Sequence, residues 1–208
     1  MGLILALVGL LPFAFMALTA FVKIATVLQI VRGAIGAQGV PSSTVVLALS
    51  AALTLIAMAP VGNTIAERLQ PLLARSATEP TELINGAIDA VREPLRSFLA
   101  HNASAKERQR FLSLARRKHP AAAQVGETDL MVVVPAFLVT ELLGAFSLGF
   151  AIYLPFLVVD LVVANVLLGL GMQTLNPMQI SLPFKLLLFV AADGWGLLAE
   201  ALVTGYVT

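Results

Sequence analysis

Apolar stretches long enough to be membrane helices alternate along this chain with glycine- and proline-marked turns, and one polar stretch divides them into two arms. From Leu3 to Val22 there is no charged residue over 20 positions, and beyond Lys23 the apolar character continues to Val31. About 20 apolar residues in a helix cross the roughly 30 Å of a bilayer's hydrocarbon core. A cleavable leader is the alternative. No Lys or Arg precedes the run, however, and it is longer than the usual leader core of about 7–15 residues, so a retained helix is expected. Gly33, Gly36, Gly39 and Pro41 then mark a tight connection, after which Ser42, Ser43 or Thr44 can cap a second helix. That second run, Thr44 to Gly62, is uncharged and carries Pro60 near its end. Residues 1–62 therefore read as an N-terminal hydrophobic hairpin.

Residues 63–130 change character, with Pro71, Pro80, Pro94 and Pro120 dividing a segment that is charged throughout. Within it Ile84, Ala87, Ile88, Val91, Leu95, Phe98 and Leu99 recur at steps of three and four, which predicts one buried stripe on a helix capped by Thr81. Ser104 followed by Glu107 has the spacing of a capping box. It opens a further helix through Phe111, Leu112, Leu114 and Ala115, ending at Arg116, Arg117 and Lys118, where positive charge suits a helix C-terminus.

The apolar pattern returns at Asp129 and runs to Gly171, broken only by Glu141 and Asp160 and carrying Pro135 and Pro155. Such a length exceeds one simple span, so a kinked long helix or two stacked pieces is expected. Gly169 and Gly171 open the segment GMQTLNPMQISLP, in which Pro177 and Pro183 are expected to keep a helix from running through. Phe184 to Val203 reads as the last apolar helix, with Asp193-Gly194-Trp195 in its middle. Residues 131–208 thus form a C-terminal hydrophobic hairpin. The fold class is all-α: about four long, bent hydrophobic helices with a polar helical insert.

Composition sharpens this picture. The 208 residues are 59% hydrophobic and 12% charged, against about 45–50% and about 25% in an ordinary soluble domain. Eighteen of the 25 charged residues fall in 63–130; the other seven are Lys23, Arg32, Glu141, Asp160, Lys185, Asp193 and Glu200. A net charge of +1 gives no footing for a nucleic-acid partner. With no cysteine there is no disulfide, thiolate nucleophile or cysteine zinc site. The two histidines, His101 and His119, lack carboxylates at zinc-ligand spacing and read as solvated helix-end residues. No phosphate loop, nucleophile elbow or metalloprotease motif occurs, so neither an enzyme nor a cofactor is expected.

Glu141, Asp160, Lys185 and Asp193 need partners, since a charge in apolar surroundings is costly unless paired or wetted. Interhelical or intersubunit ion pairs are the favoured reading, and a conduction path or proton relay is the other. Lys185 can neutralise one carboxylate but not three. Ala145 and Gly149, four apart, allow a close helix approach of the kind used in oligomers. The segment GMQTLNPMQ fits either a surface hairpin or a pliable seal, with Met172 and Met178 supplying adaptable thioethers. The positive-inside rule would place the insert, with ten of the 13 basic residues, in the cytoplasm. That rule weakens for loops beyond about 60 residues, so it does not decide the orientation.

The stretch DLMVVVPAFLVTELLGAFSLGFAIYLPFLVVDLVVANVLLGLGM, Asp129 to Met172, resembles the FliP/SctR family, the core export-apparatus membrane protein of flagellar and injectisome type III secretion, in its PAF, EL, AF, GF, LPF and D elements. LPFKLLLFVAADGW (Leu182 to Trp195), KIATVLQIVRGAIGAQGVPSS and the MAP at Met58 to Pro60 match as well. The resemblance implies a non-enzymatic subunit of the protein-conducting export gate at the bacterial inner membrane. It implies about five copies, joined by FliQ/SctS-like and FliR/SctT-like partners and passing unfolded substrates, with the polar insert facing the periplasm. The family's methionine-rich sealing loop falls here on Gly171, Met172, Gln173, Thr174, Leu175, Asn176 and Pro177. This chain is less oily there, because Gln173, Thr174 and Leu175 follow the single Met172. Glu141, Asp160, Lys185 and Asp193 match charged family positions that serve intersubunit or interhelical contacts. A small-solute or ion transporter using Asp160 and Lys185 is the alternative function.

Overall fold

The computed structural model describes residues 2–37, 39–74, 80–118 and 125–206. The described residues form helices and turns in the order α1 (Gly2–Leu18), α2 (Phe21–Ile35), α3 (Ser43–Ala57), α4 (Ala59–Leu73), α5 (Pro80–Asn102), α6 (Ala105–Lys118), α7 (Leu130–Gly169), α8 (Pro177–Ala191) and α9 (Gly194–Thr204). The all-α class expected from the pattern is what the chain adopts. Two compact units are present: residues 1–22, 54–141 and 206–208 form the first, and 23–53 together with 142–205 form the second.

Three of the predicted apolar runs are broken into pairs of helices. The first breaks at Thr19 and Ala20 and turns by 79°. There the Thr19 hydroxyl donates to the Phe15 carbonyl at 2.5 Å and accepts from the Phe21 amide at 3.3 Å, satisfying backbone groups on both sides of the break. The second breaks at Met58, with Pro60 in the opening turn of α4, and bends by 57°. The last breaks at Ala192 and Asp193, also by 57°. The expected single helix through Asp193-Gly194-Trp195 is corrected to two, because Asp193 takes a left-handed backbone (φ 49°) that no helix continues through. Pro183 needs correcting too: it lies inside α8, and only Pro177, at the first helical position, marks a boundary.

The 40 residues of α7 form one continuous helix despite Pro135 and Pro155. At 1.5 Å per residue that is about 60 Å, twice a bilayer's hydrocarbon thickness. Among the described residues α7 is the one helix that by length and composition can cross a membrane by itself, and each bent pair passes the same test when its two helices are taken together.

In the first unit, α4 packs along α5. The core there is Val61 of α4, Phe98 and Leu99 of α5, Ala103, and Val133, Ala136 and Phe137 of α7. The stripe foreseen on α5 is buried only in its C-terminal half: Phe98 and Leu99 are buried, whereas Ile84 and Ile88 remain 58% and 55% exposed. Helix α5 starts at Pro80, one residue before Thr81, whose side chain lies outside what the structure describes. Ser104 does cap α6, its hydroxyl accepting from the Glu107 amide at 3.2 Å. Glu107 turns to Arg110 (2.9 Å). Leu112 and Ala115 of α6 pack on Val132 of α7, and the Ser104 amide donates to the Thr140 hydroxyl at 3.0 Å, so α6 lies along the opening turns of α7. His101 sits exposed in the last turn of α5 with Nδ1 2.8 Å from the Ser97 carbonyl; His119 lies outside the described residues.

In the second unit, Ser42 caps α3 through the Val45 amide (3.3 Å). Helix α2 closes on α7 at the small residues. Ala145 is fully buried, and a Cβ added to Gly149 would lie 2.6 Å from Ile30 Cδ1. At Gly149 the close approach read as a route to oligomerisation is made by Ile30 of the chain's own α2.

Candidate functional site

The turn from α7 into α8 is closed at both ends by backbone chemistry. Gly171 takes φ +71°, its amide donates to the Leu168 carbonyl (3.0 Å), and the Met172 amide donates to the Leu167 carbonyl (2.9 Å). This is a Schellman termination, which needs a left-handed residue at that point and favours glycine. Four residues later the Asn176 carboxamide oxygen accepts from the Met178 amide (3.0 Å), capping α8, with Pro177 at its first position. Between these stops Met172, Gln173, Thr174 and Leu175 are exposed, Met172 by 47% and Leu175 by 43%. Met178 follows in the first turn of α8, 59% exposed. The result is a short, firmly anchored turn that presents its side chains outward.

Below it lies the principal buried charge. Lys185 of α8, 2% exposed, places Nζ 2.5 Å from Asp160 Oδ2 of α7 and 3.3 Å from the Ala34 carbonyl. The Ser181 hydroxyl donates to the other Asp160 oxygen at 2.5 Å. Ala34 is in the last turn of α2, whose final carbonyls lack intrahelical donors and carry the negative end of the helix dipole. The ammonium therefore neutralises a carboxylate and caps a helix end together. Gly36, at φ +76°, carries the chain away from α2, and a Cβ there would come within 3.9 Å of the ammonium. One cation thus ties α2, α7 and α8.

Glu141 of α7, 3% exposed, hydrogen-bonds the Tyr206 hydroxyl, which also lies 3.2 Å from the Ala20 carbonyl. The Tyr206 ring packs on Phe98 with centroids 5.9 Å apart. Burial, and then the neighbouring carboxylate, hold this phenol far above its ordinary value, which keeps it a proton donor. The contact fixes Tyr206, two residues beyond the end of α9, to the break between α1 and α2.

Asp193 is exposed at the bend between α8 and α9 and makes no side-chain cap bond. The bend is shaped by its neighbours. A Cβ on Gly194 would fall 2.2 Å from the Phe189 ring, and one on Gly196 would fall 2.4 Å from the Asp193 carboxylate. Phe189 and Trp195 meet edge to face at 5.0 Å.

Of the four charged residues singled out from sequence, Asp160 and Lys185 are brought together, Glu141 finds Tyr206, and Asp193 shapes a turn. Ser181, the Ala34 carbonyl and Tyr206 were not foreseen. Ser181 had a readable signal, since it lies four residues before Lys185 on the same face of α8. The other two come from segments distant in the chain and gave none.

Comparison with known proteins agrees with the motifs. The FliP family model matches residues 4–202. The chain is 41% identical to the hypersensitivity response secretion protein HrcR of Ralstonia nicotianae over 202 residues, covering 96% of this chain and 93% of that protein. It is 40% identical to the Yop proteins translocation protein R of Yersinia pestis, covering 98% and 94%. It is 38% identical to the virulence protein YscR of Salmonella typhimurium, covering 98% and 94%. Matched over nearly its whole length, the chain belongs to the FliP family, a structural membrane component of the type III secretion export apparatus.

Proposed function

We propose that this chain is a pore-forming subunit of the export gate, assembled as about five copies with FliQ/SctS-like and FliR/SctT-like subunits, through which unfolded substrates leave across the bacterial inner membrane. The polar segment 63–130 faces the periplasm. The subunit performs no catalysis and holds no cofactor; energy is supplied by other components. The system is of the injectisome kind, in keeping with relatives named for hypersensitivity response secretion and Yop translocation.

The observation that carries this reading is the unsatisfied apolar surface of α7. Only 11% of its most apolar window is buried within the chain, and Phe146, Phe150, Leu161, Val162 and Val166 all stand more than half exposed. A helix about twice the bilayer thickness cannot give all of that surface to lipid. Neighbouring subunits are the other cover available, and close protein packing rewards such faces. Within that assembly the turn from Gly171 to Pro177 forms the seal, with Met172, Leu175 and Met178 as its pliable apolar lining. Asp160 with Lys185, Glu141 and Asp193 set the register between helices and subunits. A solute path through Asp160 and Lys185 finds less support, because each already engages the other and a further internal partner.

Deleting Gln173 to Leu175, or replacing Met172 with Ala, tests the seal. The expected outcome is an inner membrane leaky to small solutes, with the assembled complex still recovered. Unchanged permeability in both variants, with the complex intact, would remove the gate role from this turn.

A further inference from the structure

Seven charged residues lie outside the polar insert, and the chain itself answers four of them. Lys185 pairs with Asp160, Glu141 bonds the Tyr206 hydroxyl, and Lys23 is engaged within the chain. Arg32, Asp193 and Glu200 make no ion pair or side-chain hydrogen bond among the described residues. Asp193 has a local answer. Its carboxylate lies over Gly196 in the first turn of α9, where the positive end of the helix dipole favours an anion. Arg32 and Glu200 have no such answer: one is a half-buried cation in the last turn of α2, the other an exposed anion and the only charge on α9.

These two charges share a height. Ile30 of α2 packs against Gly149 of α7, and Leu197 and Ala201 of α9 line one apolar cavity with Leu148 and Ile152 of α7. Arg32 and Glu200 therefore both sit beside the middle of the 40-residue α7, about 30 Å from either of its ends. They also point away from the chain's own packing. Two residues turn a helix by about 200°. Arg32 comes two residues after Ile30, so it stands on the flank of α2 opposite the contact with α7. Glu200 is two residues from both Leu198 and Leu202, which are 6% and 1% exposed, so it stands on the outer face of α9. A lone charge halfway along an apolar helix is costly, and such groups are found paired with one another.

We propose that Arg32 of one copy pairs with Glu200 of the next, so that the flank of α2 in each copy meets the outer face of α9 in its neighbour. The occupant of each face is a second copy of this chain. The contact rests on the multi-copy reading above and supplies the pairing that reading lacks. An odd ring cannot be built from two-fold contacts alone, because these pair identical patches and close at two. A cation on one face and an anion on another give the two unlike faces a ring needs, and their signs fix which face meets which. Copies standing side by side bring residues of equal height together, as this pair requires.

The chain has no cysteine, which makes a direct test simple. Arg32→Cys and Glu200→Cys are introduced together into the full chain, which is expressed with its partner subunits, and the detergent-extracted complex is treated with a short bis-maleimide. A disulfide would not serve, because two long side chains in an ion pair hold their backbones beyond the roughly 7 Å it spans. The expected result is a ladder of covalent oligomers of this chain, while either substitution alone leaves only monomer. Absence of the ladder from a complex of normal mass overturns this contact and leaves the assembly standing. Covalent dimers from either single variant also overturn it, since they mean a two-fold face. A wild-type complex holding one copy of this chain overturns the multi-copy reading itself. As a second arm, in the chain without cysteine, Arg32→Glu should lower the recovered complex about tenfold by setting two anions against each other, and adding Glu200→Arg should restore it. Wild-type recovery from the first change, or no rescue by the second, contradicts the pair and leaves Arg32 to a partner subunit or a lipid headgroup.

Discussion

Lys185 concentrates the physical problem of this chain: an ammonium 2% exposed on an apolar helix. Leaving water costs a charge several kcal/mol, and only good geometry with a counterion and further acceptors repays it. Asp160, Ser181 and the Ala34 carbonyl together supply that geometry. Removing one partner is worse than removing both. Lys185→Ala should cost about 3–5 kcal/mol by stranding Asp160, whereas Lys185→Met with Asp160→Leu should recover most of the loss. The heat-resistant fraction of the solubilised protein reads both. Equal loss in the single and double variants would show that packing, not the unpaired carboxylate, is what matters. That Lys185 would take one carboxylate was legible in the sequence, because buried cations need counterions and few were available. Which carboxylate it takes was not, since Asp160 lies 25 residues away across a turn whose geometry the pattern does not encode.

At the scale of elements, hydrophobic periodicity located the apolar runs and the caps at Ser42 and Ser104, because those signals are local. It missed the breaks within the runs. Apolar residues continue on both sides of Thr19 and Asp193, and past Met58 as far as Val61, so the residues around each break do not mark where the backbone turns. The bend at Asp193 depends on Gly194 lying close beneath the Phe189 ring. Gly194→Ala forces that ring aside and should cost about 1–3 kcal/mol, as overpacking does. The same variant combined with Phe189→Leu, whose side chain is smaller, should recover part of it. Thermal inactivation of the solubilised chain checks the pair, and no recovery would place the strain in the backbone instead. Gly149 teaches a related lesson: small-residue spacing marked a close approach, but what approaches Gly149 is Ile30 of α2 in the same chain.

For the whole molecule, 59% hydrophobic composition and clustered charge are those of a multi-span membrane protein. The helices fit that, yet α7 is about twice as long as one span requires and buries little of itself within the chain. The account therefore assigns much of the apolar surface to neighbouring copies and partner subunits. The mass of the complex extracted in mild detergent, from cells expressing this chain with its two partner subunits, tests that assignment most directly. The account predicts a single large species containing about five copies of this chain together with both partners. A monomer or simple dimer that moves small solutes when reconstituted alone in liposomes would contradict it.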